Sequence, residues 1–370
     1  MQQKSVNIVS FDNPYPPNYG GVIDVYFKIK ALHELGFQVH LHCFAKEIPT
    51  AFDDLKKITH SVYFYTINQK WYYILSKLPL SVISRNNKAL VNNLLQNSYP
   101  ILFEGLKTTC SIQDIRIKDR IKILRLHNLE HNYFKGIAHN ESNIIKKYFY
   151  YREFLKYRNY LVWNNFTAIK TLANFENEYL VKKGFHAQYV PVFHGNTKVQ
   201  SLSAFGKIVL YHGDLSTSDN VKSAFFLIEI FKKLPSYKLV IASGSGKQKI
   251  ENKIGSSSNI SFEEIQSFND LLLLFKKAHI CISWSFQKSG TKLKLLNALF
   301  NSRFSIINQN IIDDTSINKL CELALTEEDL TASIHKLMKM PYEQHHILEK
   351  QKMLLNEYND LKNAQKLMEL

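Results

Sequence analysis

The chain has 370 residues, 45% of them apolar, 21% charged and 13% aromatic, which excludes disordered and collagen-like classes. At the usual yield of about 100 to 200 residues per domain, this length predicts two domains. Forty-seven Lys and Arg against 32 Asp and Glu leave a formal charge of +15, which favours anionic partners: nucleotide phosphates, nucleic acid or an acidic membrane surface. No apolar run approaches the roughly 20 residues needed to span a bilayer, and the opening residues lack the pattern of a signal peptide. Cys43, Cys110, Cys281 and Cys321 are scattered, with no C-x-x-C pair. A cytoplasmic protein with reduced thiols, no disulfide and no zinc is expected.

The first element is an apolar strand, Val6 to Phe11, followed by a polar loop rich in Pro and Gly. Val22, Val25, Ile29 and Leu32 then recur at the spacing of one helix face. Gly36 ends that helix and Gln38 to Phe44 reads as a second strand, so the chain opens as a βαβ unit of a parallel sheet. Further strands are expected at Ser61 to Tyr65, Ile101 to Glu104, Ile121 to Leu126, Ala168 to Ala173 and Gln188 to Val192. The polar stretch Gly195 to Ser203 suits an interdomain connection. After it the same grammar restarts: strand Lys207 to His212, loop Asp214 to Asn220, a helix to Leu234, strand Tyr237 to Ala242. Strands at Asn259 to Phe262, His279 to Trp284 and Phe304 to Asn308 follow, and from Glu327 the pattern is helical. The fold class is therefore α/β, with two doubly wound Rossmann-like domains, 1–195 and 206–370, facing an interdomain cleft. The final stretch is a candidate to return to the first domain. Ligands of such sheets lie at the carboxyl ends of the strands.

Only 13 glycines occur, about half the usual share of roughly 7%. Gly105, Gly213, Gly244 and Gly246 follow expected strands, where glycine permits tight turning or lets backbone N–H groups approach a phosphate or sugar. Gly20-Gly21 opens the first helix, where free N–H groups and the helix dipole favour an anion. Neither G-x-G-x-x-G nor a phosphate loop ending in Gly-Lys-Ser/Thr is present.

The richest segment runs from Ser285 to Leu299. Its loop leads into a helix whose first turn carries Lys292 and Lys294, and cations there oppose the dipole unless an anion compensates. A diphosphate on this corner, with Asn297 bonding a sugar or ribose hydroxyl, is the functional reading; a solvated basic helix start is the plain one. His127 closes another strand. His127-Asn128-Leu129-Glu130-His131 matches the letters of an inverted zincin, but a strand-end His127 breaks the helical ligand spacing. Substrate hydrogen bonding or a structural role remains for it, and the same pair of readings applies to His194. Lys146 to Arg158 interleaves basic and aromatic residues, as on a membrane-surface helix or on an ordinary amphipathic helix.

These segments together resemble glycosyltransferase family 4, with its two-Rossmann GT-B fold, over nearly the whole chain. Pro14 to Gly21 is similar to the family's N-terminal glycine loop, and Leu126 to His131 occupies the position of its cleft histidine. Leu210 to Gly213 resembles the strand and glycine opening the donor domain; Leu239 to Gly246, containing Ser243 and Gly244, resembles its second donor strand. Ser285 to Asn297 aligns with the donor loop, whose two glutamates, with seven residues between them, are replaced here by Ser289 and Asn297. Both keep hydrogen-bonding ability and lose charge. The segment Gly290-Thr291-Lys292-Leu293-Lys294 is similar to a family variant that places a lysine at position 294.

The resemblance implies retaining transfer of a hexose from a UDP- or GDP-sugar to a glycan or lipid-linked acceptor, with no metal and no other cofactor, in bacterial surface-glycan synthesis. His127, Lys292 and Lys294 are the implied catalytic groups. Gly213, Ser243, Gly244, Ser289, Gly290, Thr291 and Asn297 are the implied donor contacts, with Gly20 and Gly21 on the acceptor side. Peripheral contact with an anionic membrane is compatible with this; nucleic acid is not an expected partner. Loss of the glutamates leaves a silent sugar-nucleotide binder as the alternative, and a basic nucleic-acid-binding protein as a further one.

Overall fold

The computed structural model describes residues 4–17, 20–141, 143–287, 293–311 and 315–369. They form two compact units, Met1–Phe193 with Asp360–Leu370, and His194–Asn359.

The N-terminal unit is built on seven strands: β1 (Ser5–Ser10), β2 (Gln38–Ala45), β3 (Ser61–Thr66), β4 (Ile101–Glu104), β5 (Lys122–Leu126), β6 (Ala168–Thr171) and β7 (Ala187–Tyr189). All pair in parallel, in the order β3-β2-β1-β4-β5-β6-β7. Such a sheet is covered on both faces, which is why β1, β4, β5 and β6 are buried at every position. The helix Gly20–Glu34 lays Val22, Val25, Ile29 and Leu32 against one face, as the spacing predicts. Gly36, at φ +80°, then turns the chain into β2. The helix Asp360–Met368 belongs to this unit, and its Ala364 and Leu367 join the same core. Lys170, buried in β6, ties it down by donating to the carbonyls of Lys366 (3.0 Å) and Glu369 (2.5 Å).

The C-terminal unit has six parallel strands: β8 (Ile208–His212), β9 (Leu239–Ser243), β10 (Ile260–Glu264), β11 (Ala278–Ser283), β12 (Phe304–Ile307) and β13 (Glu322–Leu323). Their order is β10-β9-β8-β11-β12-β13. In each sheet the chain starts in the middle and reverses direction, between β1 and β4 in one and between β8 and β11 in the other. Those reversals define where a ligand crevice opens.

The expected strands are present, Ile101–Glu104 with the same ends and the others with ends moved by up to three residues. The run Gln188 to Val192 leaves the sheet early: Val190 donates the last ladder bond to Thr171 (3.0 Å), and Pro191 has no N–H to continue. The two-residue β13 carries no period to read. Residues 218–220, expected in a loop, are the first turn of the helix Ser218–Lys232. The polar stretch 195–203 is irregular but anchored within the C-terminal unit, where Gln200 donates to Phe300 O (2.8 Å) and Arg303 Nε to Ser203 O (2.8 Å). Among the described residues no helix is long and apolar enough to cross a membrane.

Candidate active site

At the carboxyl ends of β4 and β5 the N-terminal unit buries a chain of charges. Lys28 projects inward from the helix Gly20–Glu34, one turn after Asp24, and both side chains are essentially inaccessible. Its ammonium donates to Asp24 Oδ2 (2.8 Å) and to Glu104 Oε1 (2.6 Å). The second oxygen of Asp24 accepts from Arg125 Nη2 (3.2 Å) and from the Phe193 backbone N–H (2.9 Å). Arg125 also donates Nη1 to the Val190 carbonyl (2.7 Å) and Nη2 to the Pro191 carbonyl (2.9 Å). Glu104 Oε2 takes His127 Nε2 at 2.9 Å.

Burial alone would push both carboxyls up. At Asp24 the neighbouring Lys28, Arg125 and His127 outweigh it, and at Glu104 Lys28 and the His127 hydrogen bond do; both groups end below the usual carboxylate range. An ionised Glu104 can only accept, so the hydrogen on His127 sits on Nε2 and Nδ1 is the ring nitrogen left for a ligand. The imidazole is 12% exposed, at the strand end.

The neighbours of His127 are fixed from several directions. Phe11 meets the imidazole edge-on, with centroids 5.3 Å apart, and Arg85 holds the Phe11 carbonyl with Nε and Nη2 (3.0 and 2.9 Å). Gly21 is required by this packing, since a Cβ there would fall 2.7 Å from Phe11 Cζ. Gly20 has open space around it. Gly105, at φ +71°, turns the chain beside the imidazole. The Leu129 N–H is held by Glu176 (2.9 Å), which starts the helix Glu130–Asn140 directly after the His127 loop. His131 is thus on a helix and His127 is not, so the zincin spacing is broken.

Asp24, Glu104 and His127 do bring three ligand atoms within 4.8 Å of one another. Their oxygens already carry Lys28 and Arg125, so a metal ion would have to displace a buried cation. The donor set fits an ion-pair network better than a metal centre.

In the C-terminal unit Gly213, Ser243, Gly244 and Lys294 lie near the reversal between β8 and β11. Gly213 follows β8, and a Cβ there would lie 3.2 Å from the Asn220 side chain. Ser243 ends β9, and its Oγ accepts from the N–H groups of Leu215 (3.3 Å) and Ser245 (3.2 Å), which draws the two strand-end turns together. Gly244 runs close beneath the Ile265 carbonyl, 3.2 Å from where a Cβ would sit. Lys294, in the first turn of the helix Leu293–Asn301, donates to Trp284 O (3.1 Å) and Asn220 Oδ1 (3.3 Å) and lies 5.3 Å from the centre of the Tyr211 ring. Its charge is therefore placed at the reversal point. His212, buried beside it, is lowered to about 4 by burial and then by that ammonium.

Asn297 is placed differently. Its side chain is buried and accepts from Asn196 Nδ2 (3.1 Å), while Asn301 donates to Asn196 Oδ1 (2.9 Å). His194 completes this amide cluster: Nδ1 accepts from the Asn196 N–H (3.0 Å), and Nε2 donates to Tyr358 O (2.8 Å). Ser289, Gly290, Thr291 and Lys292 lie outside the described residues, as does Lys288.

Sequence reading missed the residues that hold these groups. Asp24 and Lys28 share one helix face, i and i+4, but were hidden by the apolar period around them. Arg125 within Ile123-Leu124-Arg125-Leu126 and Glu104 closing Ile101-Leu102-Phe103-Glu104 were the available signals, because a charge inside a central parallel strand must be partnered. Asp219 gave no signal. It binds Ser285 Oγ (2.6 Å) and the Phe286 N–H (2.9 Å) and so fixes the start of the loop after β11.

Two doubly wound parallel sheets, each with its polar groups at the carboxyl ends of the central strands, define the GT-B fold. No family model matches the sequence. The chain is 26% identical over 353 residues, 89% of each sequence, to an "uncharacterized 44.6 kDa protein in cps region" of Klebsiella pneumoniae. Among solved structures it is similar to the sucrose-phosphate synthase of Thermosynechococcus elongatus, with a TM-score of 0.71 and 12% identity over 98% of this chain and 97% of that one. The lipopolysaccharide outer core galactosyltransferase WaaB matches with a TM-score of 0.63 and 14% identity over 98% and 99% of the two chains. Anabaena HepE, solved with UDP and glucose, matches at 0.64 and 10% identity over 98% of each chain. At these identities the likeness is one of fold.

Proposed function

We propose that the protein is a glycosyltransferase of bacterial surface-glycan synthesis, transferring a hexose from a UDP- or GDP-sugar with retention of configuration. The observation that carries the reading is the end-to-end match of its fold to enzymes that move sugars, and the cps-region relative supports the pathway. In this reading the C-terminal unit takes the donor. The Gly213 and Ser243 turns, Lys294, and Lys292 two residues before it in sequence receive the diphosphate. The bond from the anomeric carbon to the phosphate oxygen breaks and a bond to the acceptor hydroxyl oxygen forms on the same face. The hydroxyl proton passes to the departing phosphate oxygen, so no separate base is needed, and the cations offset the charge that develops on the leaving group. His127 presents Nδ1 to a sugar hydroxyl and orients it.

A lipid-linked or glycan acceptor fits the helix Ile144–Asn159, where Ile144 and Ile145 are each 81% exposed beside Lys146 and Lys147. Only its later residues Glu153 and Tyr157 are buried. This half of the helix matches an anionic membrane surface. Sedimentation with anionic liposomes at low salt should fall in an Ile144→Asp, Ile145→Asp variant; equal binding would remove the helix from the contact.

The activity is tested by offering a panel of nucleotide sugars with glycan and lipid-linked acceptors and measuring nucleotide release. Release from one donor, lost in His127→Ala, is the expected result. Binding without release would identify a silent sugar-nucleotide binder, and neither would overturn the reading.

A further inference from the structure

The β12–β13 edge of the C-terminal sheet holds a cavity. It opens at the amino ends of β12 and β13, where the chain from Tyr342 into the helix Gln344–Glu357 passes, and has a volume of about 140 Å³. Lys350 reaches into its wall with 4% of its surface exposed. Two of its protons go to the carbonyls of Ser302 (2.9 Å) and Arg303 (2.5 Å). No carboxylate among the described residues is ion-paired to it. The two nearby thiols, Cys281 and Cys321, are pushed up to about 12 by burial and supply no negative charge. Burial drives the Lys350 ammonium down to about 8, which is the signature of a desolvated cation lacking a counter-ion.

Two further donors line the same space. Ser305 Oγ and Tyr342 Oη are buried, and neither has a hydrogen-bond partner among the described residues. A buried hydroxyl left unpaired costs about 1–3 kcal/mol, so two together with a buried cation that meets two carbonyls and the Tyr342 ring (5.2 Å to its centre) but no carboxylate describe a site that awaits an acceptor. The acids at the rim do not fill it: both oxygens of Glu322 are taken by Lys336 (2.9 and 3.1 Å), and Glu349 is exposed.

We propose that this cavity binds a small tetrahedral oxyanion, free phosphate or the terminal phosphate of a small metabolite, through Lys350 Nζ, Ser305 Oγ and Tyr342 Oη. The site lies at the amino ends of the strands, whereas the donor groups lie at the carboxyl ends, so it does not depend on the proposed transfer activity. It would serve as an effector or stabilising site.

The test is thermal unfolding of the full chain against inorganic phosphate, with chloride at matched ionic strength as reference. A saturable rise in Tm is expected, and Lys350→Met should abolish it. Should Lys350→Met fail to fold, the double variant Ser305→Ala, Tyr342→Phe leaves the charge in place and should weaken phosphate affinity by at least about tenfold, roughly one lost charge-assisted hydrogen bond. A hexose 6-phosphate arm identifies the source: tighter response to the ester assigns a metabolite, tighter response to phosphate assigns the free ion. No saturable rise, or a rise unchanged in Lys350→Met or in the double variant, overturns the proposal.

Discussion

The two units organise the ends of their sheets by different means. In the N-terminal unit His127 is held by a fully buried relay of alternating charge, Arg125–Asp24–Lys28–Glu104, in which two cations offset two anions. In the C-terminal unit the corresponding ground is held by the Ser243 hydroxyl, the Gly213 turn, and a single carboxylate, Asp219, clasping the start of the next loop, with no buried chain of ion pairs among the described residues. The first arrangement fixes one side chain in one tautomer. The second brings two strand-end turns and one ammonium near a reversal point, which suits an anionic group of variable shape.

The contrast is sharpest under substitution. Lys28→Met leaves Asp24 and Glu104 buried without their shared cation, and should cost about 3–5 kcal/mol of unfolding free energy in urea. A loss under 1 kcal/mol would mean the relay is not closed as described.

Acid separates contributions from both units. His42, buried in β2, is lowered to about 3 and His212 to about 4, in each case mainly by burial. The unfolded chain, titrating near 6.5, then binds more protons than the folded one below that pH, so stability falls from about pH 6.5 towards pH 4. Each group accounts for about 3 kcal/mol by pH 4. Asp24 and Glu104, lowered in the fold, add a further loss that begins only below about pH 4.5, where the unfolded carboxyls take up protons. Chemical denaturation across this range should show a shallower fall in His212→Asn; an unchanged slope would contradict the neutral buried imidazole.

His127→Ala should lower turnover by about 100-fold, within the usual range for a positioned polar group, and cost about 1–3 kcal/mol of stability because buried Glu104 Oε2 loses its partner. Gly21→Ala should act on the same residue indirectly. Its methyl group displaces Phe11, costing about 1–3 kcal/mol and loosening His127, so the rise in KM should exceed the fall in kcat. Lys294→Ala should give the smallest change in stability and reduce nucleotide-sugar turnover by roughly tenfold, one lost charge contact. Full activity would remove Lys294 from the site.

Most of the fold was legible because period and punctuation are local. The face Val22, Val25, Ile29, Leu32 and the stop at Gly36 need no knowledge of the rest of the chain. The strand runs were equally readable, apart from the two-residue β13. Candidate site residues were legible where one stood at a strand end, as His127 and Gly213 do, or in the first turn of a helix, as Lys294 does. Glu104 and Asp24 are joined through Lys28 across 76 and 4 positions of sequence, and such pairings follow from tertiary packing. Asn297 shows the converse: its place in a helix after the loop was readable, but its partners Asn196 and Asn301 were not.

The central claim is that a nucleotide diphosphate is held at the carboxyl ends of β8 and β9. Amide hydrogen exchange with and without UDP and GDP tests it most directly. Slowed exchange in the turns Gly213 to Leu215 and Ser243 to Gly246, with the amino ends of β12 and β13 unaffected, is the result the account predicts. Exchange unchanged in both turns while either nucleotide is demonstrably bound would contradict it.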